Sequence, residues 1–168
     1  MLPDSLVPPA PVPTTLFIVC GLPGSGKTTR AKEIERQFGA VRFCADEWMT
    51  TLRIDLWDSN ARDRVEKLQW DLTMDLLTHG QSIVIEWGTW ARSERDTLRT
   101  GARAVGSRVE LHFLHEPVDV LMERVGNRAR ESPPIELEQL KEWSAQLERP
   151  SASEMALFDP VSIAVSDR

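Results

Sequence analysis

Cysteine is scarce in this chain: only Cys20 and Cys44 occur among 168 residues, both in apolar, strand-like runs. That is too few for a disulfide-stapled secreted domain, and no Cys/His spacing matches a zinc site. Two buried free thiols in a reducing, cytoplasmic compartment are expected, with a disulfide between them the lesser alternative. Long apolar runs are also missing. None reaches the roughly 18 residues needed to span a bilayer, and the N-terminus lacks the basic segment and apolar core of a secretory signal. No internal repeat appears. Basic residues are outnumbered, 20 Lys and Arg against 26 Asp and Glu, for a net charge of −6 and a pI near 5.1. An acidic chain is a poor default binder of long nucleic acid, although a local basic pocket remains open. No membrane or protein partner is indicated.

What is present fits one domain with a real core: 41% hydrophobic and 27% charged residues over a length that needs no staples. Residues 1–13 carry five prolines and are expected to form an extended, mobile leader, with residues 14–168 as the domain. Along 14–168, short β-branched runs alternate with helical patterns. Strands are expected at 15–20, 41–45, 82–86 and 109–115, with a last one at 160–165. The intervening segments read as helices, one with a stripe at Val65, Leu68, Leu72 and Leu76. Such alternation predicts an α/β domain with a parallel sheet covered on both faces. Ligands in these sheets bind beyond the carboxyl ends of the strands. The glycine loop after the first strand, Asp46, Glu86 and His115 all fall at such ends.

The segment Gly21-Leu22-Pro23-Gly24-Ser25-Gly26-Lys27-Thr28-Thr29 fits G-x-x-x-x-G-K-[ST]. Its glycines let backbone N–H groups encircle a β-phosphate, and the helix that starts near Gly26 adds its positive end. Lys27 is placed for the β- and γ-phosphates and Thr28 for Mg²⁺. The guanine-reading N/T-K-x-D and the D-x-x-G switch of GTPases are absent, so ATP with Mg²⁺ is the expected ligand.

Asp46 ends the second strand, where a carboxylate could deprotonate an acceptor hydroxyl or merely cap a helix. Glu86 ends the third, as a Mg²⁺ or acceptor contact or as a structural acid. A motor ATPase more often pairs two acids there; here Trp87 and Gly88 follow. Arg124 and Arg128 share one helix face, with Arg130 nearby.

The glycine loop, the acid after strand two, the acid ending strand three and these arginines resemble the small P-loop kinases. That group includes adenylate-kinase-like phosphotransferases, chloramphenicol phosphotransferase, zeta toxins and polynucleotide-kinase domains. The chain is most similar to bacterial AAA-domain kinase proteins, over about residues 15–165. The resemblance implies a three-layer fold with a five-stranded sheet in the order 2-3-1-4-5. It also implies phosphoryl transfer to a hydroxyl, with Asp46 as base and Arg124 and Arg128 as a lid over the phosphates. In one respect the chain departs from the polynucleotide kinases: the arginine expected three residues after the acid is Met49, and Arg53 lies a helical turn further on.

For the acceptor, Trp48, Trp87 and Trp90 cluster around the two acids in sequence, with Trp57 a further member. Trp70 and Trp143 read as packing. Arg92, Arg95 and Arg99 share a helix face; Arg92 and Arg95 are the candidates for holding an anionic acceptor, with Arg53, against a solvated stripe as the default. Taken together, the sequence predicts an ATP- and Mg²⁺-dependent small-molecule phosphotransferase. A nucleic-acid or nucleotide end kinase and a non-transferring ATP-binding regulator are the alternatives.

Overall fold

A computed structural model describes residues 13–162. The central strand, β1 (Thr15–Cys20), is buried along its whole length, as its unbroken apolar run requires. It pairs in parallel with β3 (Ile83–Ile85) on one side and β4 (Arg108–Phe113) on the other, and β2 (Val41–Phe43) pairs with β3. The order is β2-β3-β1-β4, four strands among the described residues. The expected five-stranded sheet is corrected accordingly. Residues 160–162 are not in a strand, and the remainder of the expected fifth one, like residues 1–12 of the expected leader, lies outside the described residues.

Helices cover both faces. On one, α1 (Lys27–Phe38) lays Ala31 and Ile34 against Phe17, Val19 and Val84. The larger core lies on the other face, where α2 (Ala45–Thr51), α3 (Ser59–Thr78) and α4 (Arg92–Ala104) pack Met49, Val65 and Leu98 over Ile18 and Ile85. A third apolar cluster sits beside the glycine loop, where α5 (Val118–Arg128) and α6 (Leu137–Gln146) enclose Leu22 with Leu121, Val125 and Leu140. The short α7 (Ala152–Met155) closes the described chain.

The buried row of α3 differs from the expected stripe. Ala61, Val65, Gln69, Thr73 and Leu77 face inward, while Leu68 and Leu72 are 51% and 36% exposed. Two polar residues occupy this row, each with one partner, while the Gln69 side-chain nitrogen is buried without one. The Thr73 hydroxyl donates to the Gln69 carbonyl, and the Gln69 side-chain oxygen accepts from the Trp87 indole. The shift turns Arg62 and Glu66 toward the end of the sheet that carries the glycine loop.

Candidate active site

The carboxyl ends of β1, β2 and β3 open into one cavity of about 600 Å³. Its floor is the glycine loop. Gly24 adopts a left-handed φ of 82°, and a side chain there would come within 2.9 Å of the Leu121 carbonyl, so the loop passes α5 only as glycine. Lys27, the first residue of α1, folds back and donates from Nζ to the Gly21 and Leu22 carbonyls, both at 2.9 Å. Burial pulls its ammonium down from 10.5 to about 8, against the opposing pull of Asp46.

Thr28 Oγ1 donates to Glu86 Oε2 at 2.6 Å. The two residues expected to serve the metal are therefore in contact, and both offer hard oxygen donors of the kind Mg²⁺ takes. Arg42 bonds the other oxygen of Glu86 and reaches Glu47 at 2.6 Å. Cys44, Glu47 and Glu86 also converge, but this trio is an ion-pair knot. Arg42 forks into both carboxylates, and burial followed by the Glu86 charge pushes the Cys44 thiol up to about 11, keeping it protonated.

Asp46 lies in the first turn of α2, yet its side chain caps nothing; Cys44 is the N-cap residue. Its carboxylate turns into the cavity, Oδ1 at 2.7 Å from Arg62 and Oδ2 at 3.6 Å from Arg130. Arg124 and Arg128 line the same cavity from α5. Arg124 donates to the Gly24 carbonyl at 3.2 Å and pairs with Glu116, while Arg128 pairs with Glu131 at 2.6 Å.

The outer wall is aromatic. Trp57, Trp143 and Trp90 form a run of rings with centroids 6.2 and 5.6 Å apart, and Trp87 lines the cavity nearby. Of the expected residues, Pro23, Gly24, Gly26, Lys27, Thr28, Thr29, Asp46, Glu86, Trp87, Trp90, Arg124 and Arg128 line this space. Gly21, Leu22 and Ser25 are buried in the loop itself.

Four expected acceptor residues and His115 lie elsewhere. Trp48 packs edge-on to Phe43, with centroids 5.7 Å apart, against the larger core. Arg53 is exposed past the end of α2, with a left-handed φ of 57°. Arg92 is an exposed partner of Asp96, and His115 stacks on Phe113. Arg95 is the clearest correction. Its side chain is 0% exposed and pairs with Glu154 at 2.7 Å. It also donates to the Thr89, Trp90 and Glu148 carbonyls. All its donors serve the protein, so none is left for an acceptor.

Arg62, Asp63, Glu66, Glu94 and Thr89 line the cavity without having been singled out from the sequence, and Trp143, expected only to pack, lines it too. Arg62 and Glu66 were hidden by the misplaced α3 stripe. The signal for them was Asp58, whose carboxylate accepts from the Ala61 amide and fixes where α3 begins.

The AAA domain family model matches residues 16–150. A search of curated proteins gave no match. Among solved structures, a sugar kinase from Janibacter sp. HTCC2649 is 26% identical, with 84% of this chain and 82% of that one covered and a TM-score of 0.61. A gluconokinase from Sinorhizobium meliloti 1021 is 24% identical, with 83% and 78% covered and a TM-score of 0.58. A chain of the Pnkp1/Rnl/Hen1 RNA repair complex is 22% identical with a TM-score of 0.67; 87% of this chain is covered but only 46% of that one. The chain belongs to the AAA domain family, as a small α/β P-loop kinase domain.

Proposed function

We propose that the protein transfers the γ-phosphate of ATP to a hydroxyl of a small molecule. Asp46 carries this reading. It shares the cavity with Lys27 and Thr28, it is close enough to act on the lysine's charge, and it is held by two arginines rather than used as a helix cap. The acceptor oxygen attacks the γ-phosphorus, Asp46 takes its proton, and the bond to the bridging oxygen breaks to release ADP. Lys27 leaves the loop carbonyls for the β- and γ-phosphates. Arg124 and Arg128 balance the charge that develops on the phosphoryl oxygens. Thr28 and Glu86 would hold Mg²⁺, which neutralises phosphate charge when bound. Trp57, Trp90 and Trp143 screen the site from water, which separates transfer from hydrolysis. The kinase neighbours and the acidic pI support a small acceptor.

A nucleic-acid end kinase is the second reading, favoured by the likeness to the RNA repair chain. The residue three positions after Asp46 argues against it: Met49 is 0% exposed and contacts no ligand space.

The test is transfer from γ-labelled ATP into a mixture of hydroxylated metabolites. Label on an organic product is expected, with Asp46→Asn slowing it about 10²- to 10⁴-fold while ATP affinity holds. Label released only as free phosphate, at a rate indifferent to the mixture, would overturn the transferase reading. An unchanged rate in Asp46→Asn would remove the base assignment.

A further inference from the structure

The cavity is divided by charge. Lys27, Arg124 and Arg128 stand at the glycine loop. The other two arginines of the lining, Arg62 and Arg130, are both engaged by Asp46. On the acidic side, Glu86 is held by Arg42 and Glu131 by Arg128. Three lining acids remain: Asp63, Glu66 and Glu94. Asp63 and Glu66 form no hydrogen bond or ion pair among the described residues, and Glu94 accepts one bond, from the Ala91 amide. Burial, followed among the raising effects by the charges of Asp63 and Glu94, pushes the Glu66 carboxyl up to about 7, with Arg62 opposing. Glu66 is half-buried and Asp63 and Glu94 are exposed; like charges gathered on one lining are unfavourable alone and are relieved by a cation.

Three of the four tryptophans that share this lining have spent their polar atoms. The Trp57 indole N–H donates to the Pro133 carbonyl at 3.0 Å, Trp87 to Gln69 at 2.7 Å, and Trp90 to the Gly21 carbonyl at 3.3 Å. What these three rings keep for a ligand is π-surface, which attracts cations and offers nothing to an anion. A separate observation points to a ligand at the same wall. Thr89 lines the cavity and is 7% exposed, and its hydroxyl is buried without any hydrogen-bond partner. Such a group is unfavourable when left unpaired and is relieved by a polar ligand group.

We propose that the phosphoryl acceptor is a hydroxylated organic cation, such as an amino sugar or aminocyclitol. Its ammonium group sits against Asp63, Glu66 and Glu94 and the tryptophan faces, and its hydroxyl is directed at Asp46. The proposal rests on the phosphotransfer reading and names its substrate class. Anionic acceptors are disfavoured because no arginine of the lining is left for them once the triphosphate and Asp46 are served.

The test titrates glucosamine, N-acetylglucosamine and gluconate into the protein loaded with Mg²⁺ and a non-hydrolysable ATP analogue, reading tryptophan fluorescence. Glucosamine is expected to bind about tenfold more tightly than the other two. The Asp63→Asn/Glu66→Gln variant is expected to abolish that preference while leaving affinity for the ATP analogue within about twofold. Equal curves for the three probes, flat ones included, overturn the proposal, as does a preference that survives the double variant. Labelled phosphate on gluconate or N-acetylglucosamine alone would sink the cation and keep the kinase. Amine-selective binding with no labelled product from any acceptor would keep the cation and sink the kinase.

Discussion

Lys27 shows how the environment of one atom sets the behaviour of the site. Its ammonium stays charged below about 8 and is lost above it. ATP affinity should therefore fall as pH rises through about 8. Binding near that value should take up a proton, visible as a buffer-dependent enthalpy in calorimetry. The effect on stability has the opposite slope. Between about 8 and 10.5 the unfolded chain holds more protons than the folded one, so stability without nucleotide should rise over that interval. A flat affinity between pH 7 and 9 would show that the lysine is not the titrating group. Single residues were legible in the sequence where backbone chemistry dictates the type. The glycine loop was readable because only glycine passes Leu121 at Gly24. The fate of each arginine was not. Arg92 and Arg95 are equally basic in the sequence, and only the folded chain shows one at the surface and the other sealed against Glu154.

At the level of elements, α7 and α4 are tied together by that buried pair. Removing one partner strands a charge in the interior, which typically costs about 3–5 kcal/mol, whereas replacing both with apolar groups is often neutral. Arg95→Met should thus destabilise strongly in denaturant unfolding, and Arg95→Met/Glu154→Leu should recover the part due to the stranded charge, the lost bonds to the Thr89, Trp90 and Glu148 carbonyls remaining in both. The single variant should also raise the acceptor KM more than it changes ATP affinity, because Arg95 holds the Thr89 and Trp90 carbonyls in place. If both variants lose equal stability, the pair contributes no more than packing. The strands were legible from their apolar runs, and their order from the resemblance to the small P-loop kinases. The α3 face was not, because Gln69 and Thr73 are polar residues made compatible with burial by partners distant or invisible in sequence.

For the molecule as a whole, the two cysteines report on global opening. Both are free and buried, and burial raises both thiols. A thiol-reactive dye should label the native protein slowly, at a rate that rises with denaturant along the global unfolding curve. Fast labelling of either cysteine in native buffer would reveal local opening at the ends of β1 or β2. Among the described residues, no helix is long and apolar enough to cross a membrane.

The wall that faces the acceptor is anchored from behind. Arg95 and the Cys20 thiol hold its carbonyls, and Gln69 holds the Trp87 indole. None of these three anchors lines the cavity. The Thr89–Trp90 segment is therefore held independently of the acids on α3 that line the same cavity. On the proposed kinase reading, a library at Asp63 and Glu66, which lie on α3 and bond nothing in that loop, should sample new acceptors while the anchored segment keeps its place.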